Sequence, residues 1–136
     1  MDSERLLGAR TANWTICTVP DSEANRAVVG EICASVAKQC NLRDDAQRVG
    51  TVSQGVGVVS NVVVAAYAAD CSETPKQPIW LEASVEQGKF SVSLFHAKWH
   101  KVRTARYTEI QDTLVSDIRK RFGTQANIQI YDEVIK

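Results

Sequence analysis

The only two histidines of the chain, His96 and His100, stand four residues apart in the stretch SLFHAKWHKVRTARY. On a helix that spacing aims both imidazoles at one metal ion, whereas in a strand it separates them by about 13 Å. The residues before His96 alternate apolar and polar in strand fashion, and no cysteine or carboxylate falls inside the stretch to complete a ligand set. No metal site is expected here. His96 reads as a continuation of the Phe90, Val92, Leu94 face, with His100 solvated. A hydrolase built on His96 or His100 is a rival reading without a supporting motif: the chain has no G-x-S-x-G, no H-E-x-x-H and no recognisable acid–base pair. Ser91 and Ser93 read as the outward face of a strand rather than as nucleophiles.

The same stretch gathers Lys98, Lys101, Arg103 and Arg106 around Trp99, and Tyr107 closes it. Cations neutralise phosphates and aromatic rings stack on bases, so a nucleic-acid-binding module is the second rival. The overall charge opposes it, because 16 Lys and Arg balance 16 Asp and Glu. The balance is uneven along the chain, with 6 basic against 9 acidic residues from Met1 to Glu73 and 10 against 7 from Thr74 to Lys136. Glu109 and Asp112 also sit close by as counter-charges. Aromatic and basic residues on one loop are instead the composition of a protein-contact hot spot. Trp99, His100, Lys101, Arg103 and Arg106 are the candidate binding residues, and the expected partner is another protein. The G-x-G at Gly55 and Gly57 precedes a valine-rich strand instead of opening a helix, so it reads as a bend or bulge and not a phosphate cradle. No cofactor is expected.

Four cysteines, Cys17, Cys33, Cys40 and Cys71, form an even set with no C-x-x-C. That excludes the zinc-ribbon and thioredoxin patterns and leaves buried thiols or disulfides open. Cys33 and Cys40 fall two helical turns apart, too far to bond each other. A bridge would run from this helix to Cys17 or Cys71, and Cys40 to Cys71 is the preferred pairing because both sit at predicted element ends.

Stepping along the elements, NWTICTV alternates in strand fashion until Pro20. Asp21 or Ser22 then caps a helix whose Val29, Ile32, Cys33, Val36 and Cys40 recur at helical spacing, with Asn41 as its stop. LRDDAQRVGTVSQG reads as a polar connector. From Val56 to Ala68 the even positions are nearly all apolar, a period of two that predicts a long strand. CSETPKQP is a loop by composition. Ile79 to Val85 and Phe90 to Leu94 alternate on either side of a turn carrying Gly88 and predict an antiparallel hairpin. Tyr107, Ile110, Gln111, Leu114, Ile118 and Phe122 predict a second helix ending at Gly123, and Ile128 and Ile130 alternate in a last strand.

The order β-α-β-β-β-α-β predicts a single α+β domain over 1–136, an antiparallel sheet of four to five strands with both amphipathic helices on one face. Residues 1–11 read as a flexible N-terminal segment. No apolar run reaches the eighteen or so residues of a membrane span, and the first residues show no apolar signal-peptide core.

The segment from Ile79 to Gly123 resembles the C-terminal part of small cell-envelope lipoproteins of Gram-negative bacteria. There, a strand pair is followed by a His-containing loop, a Thr-x-x-Tyr helix start and a helix closing in Phe-Gly; Thr104, Tyr107, Phe122 and Gly123 carry the pattern here. The resemblance covers about the last half of the chain, with support from VVGEICASVAKQCNL, and this chain shows no lipidated N-terminal cysteine. It implies an envelope or periplasmic location where a signal segment has been removed, and a cytoplasmic one otherwise. It brings no defined activity and no functional residues. The function expected from the whole reading is a small non-enzymatic binding domain acting through protein contacts, of an accessory or inhibitor type in a bacterial envelope.

Overall fold

A computed structural model describes residues 14–50, 52–53, 61–70, 78–86, 88–96 and 105–131. Strand β1 covers Trp14–Pro20 and helix α1 Glu23–Gln39. Short strands β2 (Arg43–Asp44) and β3 (Val52–Ser53) precede β4 (Asn61–Ala69). The hairpin β5 (Ile79–Glu86) and β6 (Lys89–His96) leads to helix α2 (Ala105–Phe122) and strand β7 (Asn127–Tyr131).

The fold is α+β, as its periodicities predict. Its strands form one antiparallel sheet in the order β2-β4-β5-β6-β1-β7, with β3 also on β4. β5 runs along the other edge of β4, so β2 and β3 are two pieces of one interrupted edge. This adds to the four to five strands expected. The additional pieces lie inside LRDDAQRVGTVSQG, whose polar residues satisfy their backbone on β4: the amides of Asp45 and Gly50 donate to the carbonyls of Ala66 and Val63 at 2.9 and 2.7 Å.

Local chemistry explains the helix limits. The Ser22 side chain accepts from the Asn25 amide at 3.0 Å, an N-cap that satisfies one of the helix's orphan donors. At the other end Asn41 takes φ 59°, the left-handed conformation that stops the chain from continuing as helix. Gly123 does the same after α2 with φ 57°, and Gly88 turns the hairpin with φ 77°.

Both helices lie on one sheet face. Val29, Ile32, Cys33 and Val36 of α1 and Tyr107, Ile110, Leu114 and Ile118 of α2 share a core with Cys17, Val19, Leu81, Ala83, Val92 and Leu94. A polar knot fixes α2 on the sheet within this core. The Tyr107 hydroxyl donates to the Leu94 carbonyl at 3.0 Å and lies 2.8 Å from Thr15 Oγ1, which donates to Gln111 Oε1 at 2.8 Å.

The long strand does not keep one phase throughout. A register shift between Val63 and Ala65 breaks the period of two, so Val62 and Val64 are exposed while Val63 is buried with Ala66 and Ala68. Residues 1–11, expected as a flexible segment, and Val56 and the G-x-G bend lie outside the described residues.

Candidate functional site

The sheet face opposite the helices is buried at Trp14, Glu82, Ser84, Ser91 and Ser93 and partly buried at Ile16, Thr18, Trp80 and Phe95, and its register places three rows of side chains across the central strands. The first row runs Ala68, Trp80, Phe95, Trp14; the second Ala66, Glu82, Ser93, Ile16; the third Val63, Ser84, Ser91, Thr18. The rings thus fall in the first row, the carboxylate and Ser93 in the second, and the other hydroxyls in the third. Ser91 and Ser93, expected to face outward, are only 8% exposed, and Glu82 is 1% exposed. The alternation placed them correctly on the face away from the helices, but that face is not a solvent face.

Glu82 is paired. Arg48, from a 3-10 turn at Ala46–Arg48, donates from Nε to Glu82 Oε2 and lays its guanidinium 3.6 Å from the centre of the Trp80 ring. The turn is held against the sheet by the backbone bonds to β4, so the pair joins an edge connector to a central strand. Burial pushes the Glu82 carboxyl above its ordinary range, and Asp45 adds to the effect; the hydrogen bond and charge of Arg48 oppose it without overcoming it. Phe95 lies between the two indoles, stacked on Trp14 at 5.2 Å and edge-on to Trp80 at 5.8 Å.

Among the described residues, three buried side-chain polar atoms lack a hydrogen-bond partner: Trp14 Nε1, Trp80 Nε1 and Glu82 Oε1. All three belong to this face. Buried polar atoms are nearly always satisfied, by protein groups or by ordered water, so these three positions are where water is expected to complete the hydrogen bonding.

A second feature lies on the other side of the molecule. The Ile130 side chain of β7 and the α2 residues Gln111, Val115, Ser116, Arg119 and Lys120 line a groove of about 530 Å³. Ile130 is among the exposed large apolar residues, and Arg119, Lys120 and Asp112 all contribute to the lining, an excess of one positive charge.

Of the binding residues expected from the sequence, Trp99, His100, Lys101 and Arg103 lie outside the described residues. Arg106 lies inside the first turn of α2, where its guanidinium donates to Glu109 at 3.1 Å and to the Asn41 carbonyl at 3.3 Å. That second bond ties the start of α2 to the end of α1. His96 ends β6 opposite Ile79, as its strand periodicity requires. Among the described residues no group of three His, Cys, Asp or Glu side chains is placed to hold a metal ion, and no helix is long and apolar enough to cross a membrane.

Cys17, Cys33 and Cys40 are buried, and Cys71, the expected partner of Cys40, lies outside the described residues. Burial pushes the thiols of Cys17 and Cys33 up to about 12, so neither is a nucleophile at neutral pH.

Sequence reasoning missed Glu82 and Arg48. One signal was present: Trp80 and Phe95 fall on the same hairpin face as Glu82, and two large rings are poor candidates for a solvent face. Arg48, 34 positions away in a polar connector, carried no such signal. Compared with known proteins, the chain matches no family model, no curated protein and no solved structure.

Proposed function

We propose that the protein is a non-enzymatic binding domain that acts through contact with another protein, and that it takes an extended segment of its partner in the groove between α2 and β7. The observation that carries this reading is the groove itself: an apolar floor of Val115 and exposed Ile130, walled by Arg119 and Lys120. An apolar anchor beside a few polar groups that fix orientation is the usual anatomy of a recognition site. The excess positive charge selects a segment that carries a carboxylate next to an apolar side chain. An accessory or inhibitor-type role in a bacterial envelope is the setting that the resemblance to the lipoprotein domains supports.

A photo-crosslinking residue at Ser116, with a control at Ala24 on α1, tests the reading in the native cell. Cross-links from Ser116 to a segment of one protein, absent from Ala24 and lost on Ile130→Asp, are expected. Equal labelling from both positions, or cross-links to RNA or DNA, would refute it.

A further inference from the structure

We propose that the groove between α2 and β7 is self-complementary, and that a second copy of this chain closes it about a two-fold axis when no other partner is bound. The inference rests on the reading of this groove as a protein-contact face, and adds the occupant that regulates access to it. Along α2 the lining runs from Gln111 and Asp112, through Val115 and Ser116, to Arg119 and Lys120. The pairs follow one another four residues apart, so they form one stripe of the helix, with its carboxylate at the start and its cations at the end. Asp112 stands about 11 Å along the axis from Arg119 and Lys120, too far for an ion pair within the helix.

These charges are left over from the chain's own pairing. Other surface cations are matched: Arg26 with Asp21, Arg43 with Asp70, Arg106 with Glu109 and Arg121 with Glu31. Asp112, Arg119 and Lys120 make no ion pair with any described residue.

A two-fold axis through the middle of the stripe reverses the order of one copy against the other. Asp112 of each copy then meets Arg119 and Lys120 of its neighbour, and both pairings form at once, as an isologous contact requires. The apolar part is Ile130, 38% exposed on β7 at the end of the strand order, which each copy covers with the groove of the other. The chain itself thus supplies what the groove selects, a carboxylate beside an apolar side chain. With no net charge, the molecule sets up no long-range repulsion against its own kind. A contact the size of one groove lies at the small end of protein interfaces, and one cation per copy stays unmatched. The dimer is therefore weak, and it yields to a partner segment that brings a further carboxylate.

Sedimentation velocity of the purified full chain tests this. The mass is expected to move from that of one chain towards that of two as concentration rises into the high micromolar range, and back as salt screens the pairs. Two variants sharpen the test, Asp112→Lys and the double change Arg119→Asp with Lys120→Asp, all at exposed positions. Each alone sets like charges together twice and should stay monomeric, whereas an equimolar mixture restores both attractive pairings and should dimerise. Circular dichroism checks that both variants keep the fold. A wild-type chain that stays monomeric throughout, variants that dimerise alone, or folded variants whose mixture stays monomeric would each overturn the proposal. Because only the purified chain is measured, such a failure is distinct from a failure to cross-link a different protein from Ser116 in the cell.

Discussion

Glu82 gains from Arg48 only part of what it loses in hydration, and its raised carboxyl pKa is the sign of that deficit. The linkage has a definite direction. The folded state holds the Glu82 proton more tightly than the unfolded chain, so this group's stabilisation is complete below the ordinary value of 4.5 and is lost as pH rises through the raised value. Most native carboxylates act the other way. Asp21, for example, is held below its ordinary range by a hydrogen bond and the charge of Arg26 and contributes stability that is lost as pH falls. In denaturant titrations, the stability of the native chain relative to Glu82→Gln is therefore expected to fall as pH increases above 4.5. At neutral pH Arg48→Met leaves the buried carboxylate without its cation and is expected to cost about 3–5 kcal/mol. That loss should shrink in acid, where Glu82 becomes neutral. A pH-independent loss for Arg48→Met would mean that the guanidinium matters only through its packing on Trp80.

Helix α2 is located on the sheet by apolar packing and oriented by one polar knot. Leu114 and Ile118 supply packing that tolerates small sliding, but the Tyr107 hydroxyl must meet both Thr15 on β1 and the Leu94 carbonyl on β6. Tyr107→Phe keeps the ring and removes the donor to the Leu94 carbonyl, while Thr15 keeps its bond to Gln111, for an expected loss of about 1–3 kcal/mol by thermal or denaturant unfolding. A loss indistinguishable from zero would show that water replaces the hydroxyl. At this scale most of the fold was legible. The helices, the hairpin and the last strand follow from periodicity because each has one face in the core and period 3.6 or 2 survives intact. The edge was not legible, since β2 and β3 are two residues each and are held by backbone bonds that no side-chain pattern reports. The phase of β4 was not legible for a related reason: a run of valines reads the same with or without a bulge, and the register shift after Val63 decides which of them point inward. Glu82 was placed on the right strand and the right face. Its burial depends on Arg48, brought in by a connector whose path only the pairing with β4 defines.

For the molecule as a whole, the consequence is a sheet whose middle is buried on both sides and whose edges are not. β5, β6 and β1 carry the helix-side core on one face and the aromatic, carboxylate and hydroxyl rows on the other, and each is flanked by two strands. At one edge β2 and β3 are two-residue pieces, with Arg43 and Asp44 both exposed. At the other, β7 carries the exposed Ile130. Local opening free energies follow buried contacts and the solvent exposure of backbone bonds, so they should rise from the edges to the middle. Native-state hydrogen exchange is expected to find the slowest amides in β5, β6 and β1, exchanging only through global unfolding, with β2, β3 and β7 exchanging through cheaper local openings. Glu82→Gln and Tyr107→Phe then distinguish the two faces, because each perturbs one layer. If the faces act as one cooperative unit, both variants accelerate the slowest amides by the factor their stability losses require. If Tyr107→Phe speeds the helix-side amides and leaves Trp80, Glu82 and Phe95 unchanged, the second face is a separate unit, and the view that the three rows form part of a single core fails.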